Sequence, residues 1–118
     1  MCPNNQRTVL NILSKRYKGL QIIHINARSL TADKLDYLKY LLSSTSIDIQ
    51  CITETWFKPE LDDTHFEISN FNCIRLDRRN GLRGGGLAFY CKKGIKTSIK
   101  LKSNTDNSTE FLGMKFMR

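Results

Sequence analysis

Two mainly apolar runs, Leu20 to Asn26 (LQIIHIN) and Ile47 to Thr53 (IDIQCIT), are each closed by a polar residue, Asn26 in the first and Glu54 just past the second. Isoleucine-rich runs of this length read as strands, apolar on both faces as in the interior of a sheet. Between them Leu35, Leu38, Leu41 and Leu42 recur at the helical period, while Asp33, Lys34, Asp36 and Lys39 fall largely elsewhere. Thr31 is placed to cap this helix, and Asp33 puts a negative charge in its first turn, where the helix dipole favours one. Ser43 to Ser46 ends it. Residues 20–54 therefore predict a βαβ unit, whose two strands run parallel through a right-handed crossover. Asn26 and Glu54 consequently reach the same edge of the sheet.

The remaining pattern is weaker. Residues 7–17 carry Val9, Ile12, Leu13 and Tyr17 at roughly helical spacing, so residues 1–19 read as a leader, either a short helix or unstructured. Trp56 to Asn70 has no clear period and predicts an irregular loop with one helical turn. Strands are expected over 71–77, 87–91, 95–101 and 110–116, with a turn-rich connection from Arg78 to Gly86, a Lys92-Lys93-Gly94 turn, and a polar stretch from Ser103 to Thr109.

Composition narrows the class without naming a function. A chain of 118 residues with 40% hydrophobic and 25% charged residues is that of one ordinary globular domain. No stretch nears the roughly 18 apolar residues that span a bilayer, and the start lacks the apolar core of a signal peptide, so an intracellular protein without membrane contact is expected. Cys2, Cys51, Cys73 and Cys91 show no C-x-x-C spacing, and three of them lie in apolar runs as small buried hydrophobes. The formal charge of +8 is carried entirely by Arg75 to Lys102, where nine basic residues face only Asp77. Such a block fits a polyanionic partner such as nucleic acid, or equally a solvated strand whose lysines protect a sheet edge.

Several residues could carry chemistry. In open α/β sheets the residues just outside the carboxyl ends of strands line the ligand crevice, so Asn26 and Glu54 could share a metal or a phosphate; the plainer reading is a turn-opening Asn and a solvated Glu. Mg²⁺ takes hard oxygen donors and often only one or two protein carboxylates, so one strand-end Glu suffices for much of a site. Hydrolysis also needs a water-activating group. His24 reads as an interior side chain and His65 as a loop residue without a partner. Arg78 to Gly86 could bind phosphate through backbone N–H groups and arginines, or be a bulged hairpin loop; it is not a nucleotide P-loop. Trp56, Phe57 and Phe66 read as core aromatics or as base-stacking platforms.

The order and spacing of Ile22-Ile23-His24-Ile25-Asn26-Ala27-Arg28-Ser29-Leu30, Asp48 to Trp56 with its "ETW", Arg78-Arg79, and Gly84 to Tyr90 ("GGGLAFY") resemble the endonuclease/exonuclease/phosphatase superfamily. The closest branch is the apurinic-endonuclease-like domain of jockey-type non-LTR retrotransposons, over about residues 20–117. The resemblance implies an α/β (α+β) fold of the DNase I type, a sandwich of two mixed β-sheets flanked by helices. It implies that Glu54 holds a divalent cation, Mg²⁺ or Mn²⁺, and that Asn26 is catalytic by arranging the metal and carboxylates; Arg28, Arg78, Arg79 and Arg83 are the further candidates for contacts to phosphate or DNA. Thr53 departs from the Gln often found before that Glu. The "ETW" and "GGGLAFY" forms favour DNA over a phospholipid or inositol phosphate.

The family's Tyr-x-Pro, Gly-Asp-Phe-Asn and Ser-Asp-His motifs do not occur in this sequence. The expectation is therefore the N-terminal half, residues 20–118, of a Mg-dependent DNA endonuclease that nicks target sites in retrotransposition. It is expected to be inactive alone, nuclear in its parent activity and without an obligate protein partner, the alternative being a non-catalytic, basic nucleic-acid-binding fragment. An apolar sheet face left without its partner is expected as well.

Overall fold

Leucines at positions 35, 38, 41 and 42 form the buried stripe of the one α-helix among the described residues, α1 (Ala32–Ser44). Thr31 caps it as its sequence predicts, the hydroxyl accepting a hydrogen bond from the Lys34 amide at 3.4 Å. The computed structural model describes residues 19–58, 60–77, 84–103 and 112–117. The leader read over residues 1–19 lies almost wholly outside them, as do Arg78, Arg79 and Arg83.

Around α1 the chain forms an α+β domain with a mixed four-stranded sheet and a second, two-stranded sheet. The first contains β1 (Ile22–Asn26), β2 (Ile49–Thr53), β3 (Phe71–Leu76) and β4 (Leu87–Lys92), in the order β1-β2-β4-β3. β1 and β2 pair in parallel, with Asn26 opposite Thr53, so the βαβ unit is present and both carboxyl ends meet at one edge. β4 pairs antiparallel with both β2 and β3. One turn of 3-10 helix, Asp63–Phe66, interrupts the loop after β2.

The period-2 alternation of side chains gives the sheet two different faces. Ile23, Ile25, Ile52, Ala88, Tyr90 and Cys73 face α1, where they join its leucines with Phe57, Phe66, Ile68 and Phe71 in one core cluster. Each fully buried Leu, Ile or Phe there is worth roughly 1.5–3 kcal/mol over the exposed state. Gln50 shares that face, fully buried opposite Tyr90, with no hydrogen-bond partner for its carboxamide among the described residues.

The opposite face is closed at one end only. Ile49 and Cys91 are fully buried, and Phe89 meets Phe116 of the second sheet with ring centroids 5.9 Å apart. At the β1 edge Ile22 is 56% exposed, and His24 and Asn26 are exposed as well. This corrects the reading of β1 as apolar-buried on both faces and of His24 as interior. β1 is an edge strand, and its outer-face residues are left to solvent.

The second sheet pairs β5 (Lys96–Lys102) with β6 (Leu112–Met117), antiparallel, with a register irregularity between Ile99 and Leu101. The Lys92-Lys93-Gly94 turn thus connects two sheets rather than one hairpin. Lys93, Lys96, Lys100 and Lys102 are exposed on this turn and strand. Arg75, counted with them in the basic block, is neutralised instead. It forks onto Asp77 from Nε and Nη2, pairs with Asp63 at 3.1 Å, and donates to the Leu61 and Lys58 carbonyls at 2.9 and 3.0 Å. The guanidinium also lies over the Phe66 ring, 4.7 Å from its centroid. Among the described residues no helix is long and apolar enough to cross a membrane.

Core burial has a consequence for alkaline stability. Burial pushes the Cys73 and Cys91 thiols up from 9.0 to about 11, and pushes the Tyr90 phenol well above its usual range. Between pH 9 and 11 the unfolded chain releases protons that the native state retains, so stability is full below pH 9 and falls as pH rises. The fall expected for Cys91 alone is about 2 kcal/mol. Urea midpoints measured at pH 8 and pH 10.5 test this, and Cys91→Ala should flatten the dependence; equal midpoints for the parent protein would refute it.

Candidate functional site

At the carboxyl ends of β1, β2 and the start of β4, three loops are sewn together by backbone hydrogen bonds. Ala27 N–H donates to Thr53 O, Ser29 N–H to Glu54 O and Leu30 N–H to Thr55 O, each at 2.9 Å. Trp56 N–H donates to Gly85 O at 2.8 Å and Thr55 N–H to Gly86 O at 3.3 Å. Glu54 is the first residue past β2 and stands at the middle of this crest.

Left-handed backbone is concentrated here. Arg28, Ser29, Glu54 and Trp56 have φ of +45°, +78°, +57° and +59°, and Asn70 is the only other non-glycine with positive φ among the described residues. Such conformations cost non-glycine residues about 1–2 kcal/mol each, and they persist where surrounding structure over-determines them, most often at functional sites. Glycine supplies the matching partner: Gly84, Gly85 and Gly86 all have positive φ.

Two N–H groups donate to the Glu54 carboxylate. Its Oε2 accepts from the indole Nε1–H of Trp56 at 2.7 Å and from the Gly85 backbone N–H at 3.1 Å. Asn26 is exposed at the end of β1, where its Oδ1 accepts from the Arg28 N–H at 3.2 Å. Lys34 reaches back from the first turn of α1 to the Ala27 and Arg28 carbonyls at 2.8 and 3.2 Å, so this loop is tied at both ends. Arg28 itself is exposed.

Of the other candidates, His24 Nε2 lies 3.1 Å from Thr53 Oγ1, on the open face two residues before Asn26. His65 is exposed on the 3-10 turn with its ring centroid 6.3 Å from that of Phe66. Phe57 and Phe66 are buried and stacked at 3.8 Å, which makes them core rather than a platform for bases. Trp56 is 41% exposed and therefore not core, and the polar edge of its ring donates to Glu54. Gly85, in the segment that reads from sequence as either a phosphate nest or a bulged hairpin loop, turns its amide to that same protein carboxylate.

Sequence reasoning missed Gly85 as a donor, Thr55 as the buried post between the two loops, and Lys34 as a tether. Only Gly85 left a signal, in the triplet. No group of three or more His, Cys, Asp or Glu side chains able to hold a metal occurs among the described residues. The donors present, one carboxylate and one carboxamide oxygen, are the hard oxygen type suited to Mg²⁺ or Mn²⁺, which leave their other positions to water and phosphate. Comparison with protein-family models and with curated proteins gives no match to this chain.

Proposed function

We propose that the crest of β1 and β2 holds a divalent cation, Mg²⁺ or Mn²⁺, through Glu54. It does so as part of a DNA phosphodiesterase of the endonuclease/exonuclease/phosphatase type, with the DNase I-like two-sheet architecture and a nuclear site of action. The observation that carries this reading is Glu54 itself, an acidic side chain on left-handed backbone at the carboxyl edge of a parallel strand pair, its Oε2 oriented by the Trp56 and Gly85 N–H groups. Asn26 stands at the end of the neighbouring strand, and Arg28, exposed beside it, is suited to a DNA phosphate. The cation would supply charge neutralisation at a phosphate oxygen and acidify a bound water.

With neither Gly-Asp-Phe-Asn nor Ser-Asp-His in its sequence, the 118-residue chain is expected to bind the cation without cutting DNA. A positioned acid or base contributes about 10²- to 10⁴-fold on its own. In a titration followed by paramagnetic broadening of amide resonances, Mn²⁺ should broaden the amides of Asn26, Glu54 and Gly85 first. Glu54→Gln should weaken binding at least tenfold, and equal affinity in the two proteins would overturn the assignment of Glu54. Supercoiled plasmid with Mg²⁺ should stay intact, and nicking that Glu54→Gln abolishes would overturn the claim of inactivity.

A further inference from the structure

The single tryptophan of the chain is left 41% exposed at the crest, so core burial does not account for its placement. Its backbone is left-handed, as is that of Glu54 two residues earlier. In an ordinary extended strand, side chains two apart share a face but stand well apart, each upright from the sheet. Two left-handed residues around the buried Thr55 bring the indole edge within 2.7 Å of the Glu54 Oε2. The backbone on either side is pinned independently, through Glu54 O and Thr55 O to the β1 loop and through Trp56 N–H to Gly85 O. The indole N–H and the Gly85 N–H meet on one carboxylate oxygen.

We infer that Trp56 is a positioning residue for the Glu54 carboxylate, an assignment that rests on the reading of Glu54 as a cation ligand. Indole nitrogen is donor-only and uncharged, so it neither ligates a metal nor competes with it for the carboxylate's charge. Two donors converging on Oε2 fix the plane of the carboxylate, and a ligand held in one orientation loses less freedom when the cation arrives. Partners of this kind behind a metal ligand commonly account for 10- to 100-fold in affinity.

The test has one arm without metal and one with it. Because Trp56 is the only tryptophan, the chain gives a single indole N–H resonance in a nitrogen-15 spectrum. In metal-free protein that resonance should lie at the hydrogen-bonded, downfield position. In Glu54→Ala, which removes the acceptor, it should move upfield to the free-indole position. A resonance at the free-indole position in the parent protein, or one that Glu54→Ala leaves in place, would overturn the inference. In the second arm Trp56→Phe retains the aromatic ring and removes the donor, and Mn²⁺ affinity should fall at least tenfold while the thermal midpoint stays in place. Unchanged Mn²⁺ affinity in Trp56→Phe, with Glu54→Gln impaired, would overturn the role of Trp56 and leave Glu54 as the ligand. Absence of Mn²⁺ binding by the parent protein would overturn the ligand reading, and the Trp56 assignment with it.

Discussion

Replacing Arg75 with alanine is expected to lower the free energy of unfolding by about 3–5 kcal/mol, the cost of removing one partner from a largely buried ion pair. A small domain has only some 5–15 kcal/mol in total, so a large share of the native population would be lost near physiological temperature. Both Asp77 and the guanidinium are largely shielded, at 7% and 13% side-chain exposure, so alanine would strand the Asp77 carboxylate. It would also release the Leu61 and Lys58 carbonyls and the cation facing Phe66. Arg75→Lys should recover little, because an ammonium cannot span Asp77, Asp63 and two carbonyls as a planar fork does. Urea denaturation with unchanged slope measures the loss, and a value under about 1 kcal/mol would mean that solvent replaces these contacts. Mn²⁺ binding gives a second reading: the loop from Lys58 to Phe66 that Arg75 pins follows directly on Trp56, so loosening it should weaken the Glu54 site as well.

How much of this was legible in the sequence depended on whether the signal was local. Four leucines at helical spacing with Thr31 before them specify α1, because cap and stripe are properties of adjacent turns. The parallel β1–β2 pair followed from that helix, since a crossover of this length returns the chain in the same direction. Asn26 and Glu54 were thereby brought to one edge without any tertiary information. The Lys92-Lys93-Gly94 turn, by contrast, shows that the chain changes direction but not where the next strand pairs. β5 joins β6 rather than β4, a choice made by ladder partners distant in sequence. The exposure of His24 is of the same kind, because Ile22-Ile23-His24-Ile25 reads identically in an edge strand and a central one. Arg75 was counted in a basic block open equally to a polyanion or to solvent, though Arg75 and Asp77 stand two apart at a strand end, where period-2 geometry puts them on one side. The Glu54–Trp56 contact left no sequence signal at all, since it needs left-handed φ at two residues that are not glycine.

Gly86→Ala is expected to cost about 3 kcal/mol and to degrade the site at the same time. A Cβ built on Gly86 would lie 2.3 Å from the Thr55 hydroxyl oxygen, closer than real atoms approach, and φ there is +93°. Thr55 is β-branched and 1% exposed, and its hydroxyl already accepts from the Phe57 N–H at 3.3 Å, so it has no open rotamer to yield into. The penalty has two parts, about 1–3 kcal/mol of overpacking and about 1–2 kcal/mol of left-handed backbone, and a double-mutant cycle separates them. Thr55→Ala alone should be destabilising through the lost hydroxyl contact and burial. Combined with Gly86→Ala it should cost less than the two single losses together, by about 1–2 kcal/mol, because the colliding oxygen is gone while the φ penalty remains. Strict additivity would place the whole effect in the backbone. The functional consequence follows from adjacency. Relieving the clash drives the Gly84–Gly86 loop away from β2, which lengthens the 3.1 Å contact from Gly85 N–H to the Glu54 carboxylate. Mn²⁺ affinity of Gly86→Ala should therefore fall along with its stability, whereas Gly94→Ala, at φ +101° with nothing near its Cβ, should lose about 1–2 kcal/mol of stability and keep the affinity of the parent protein.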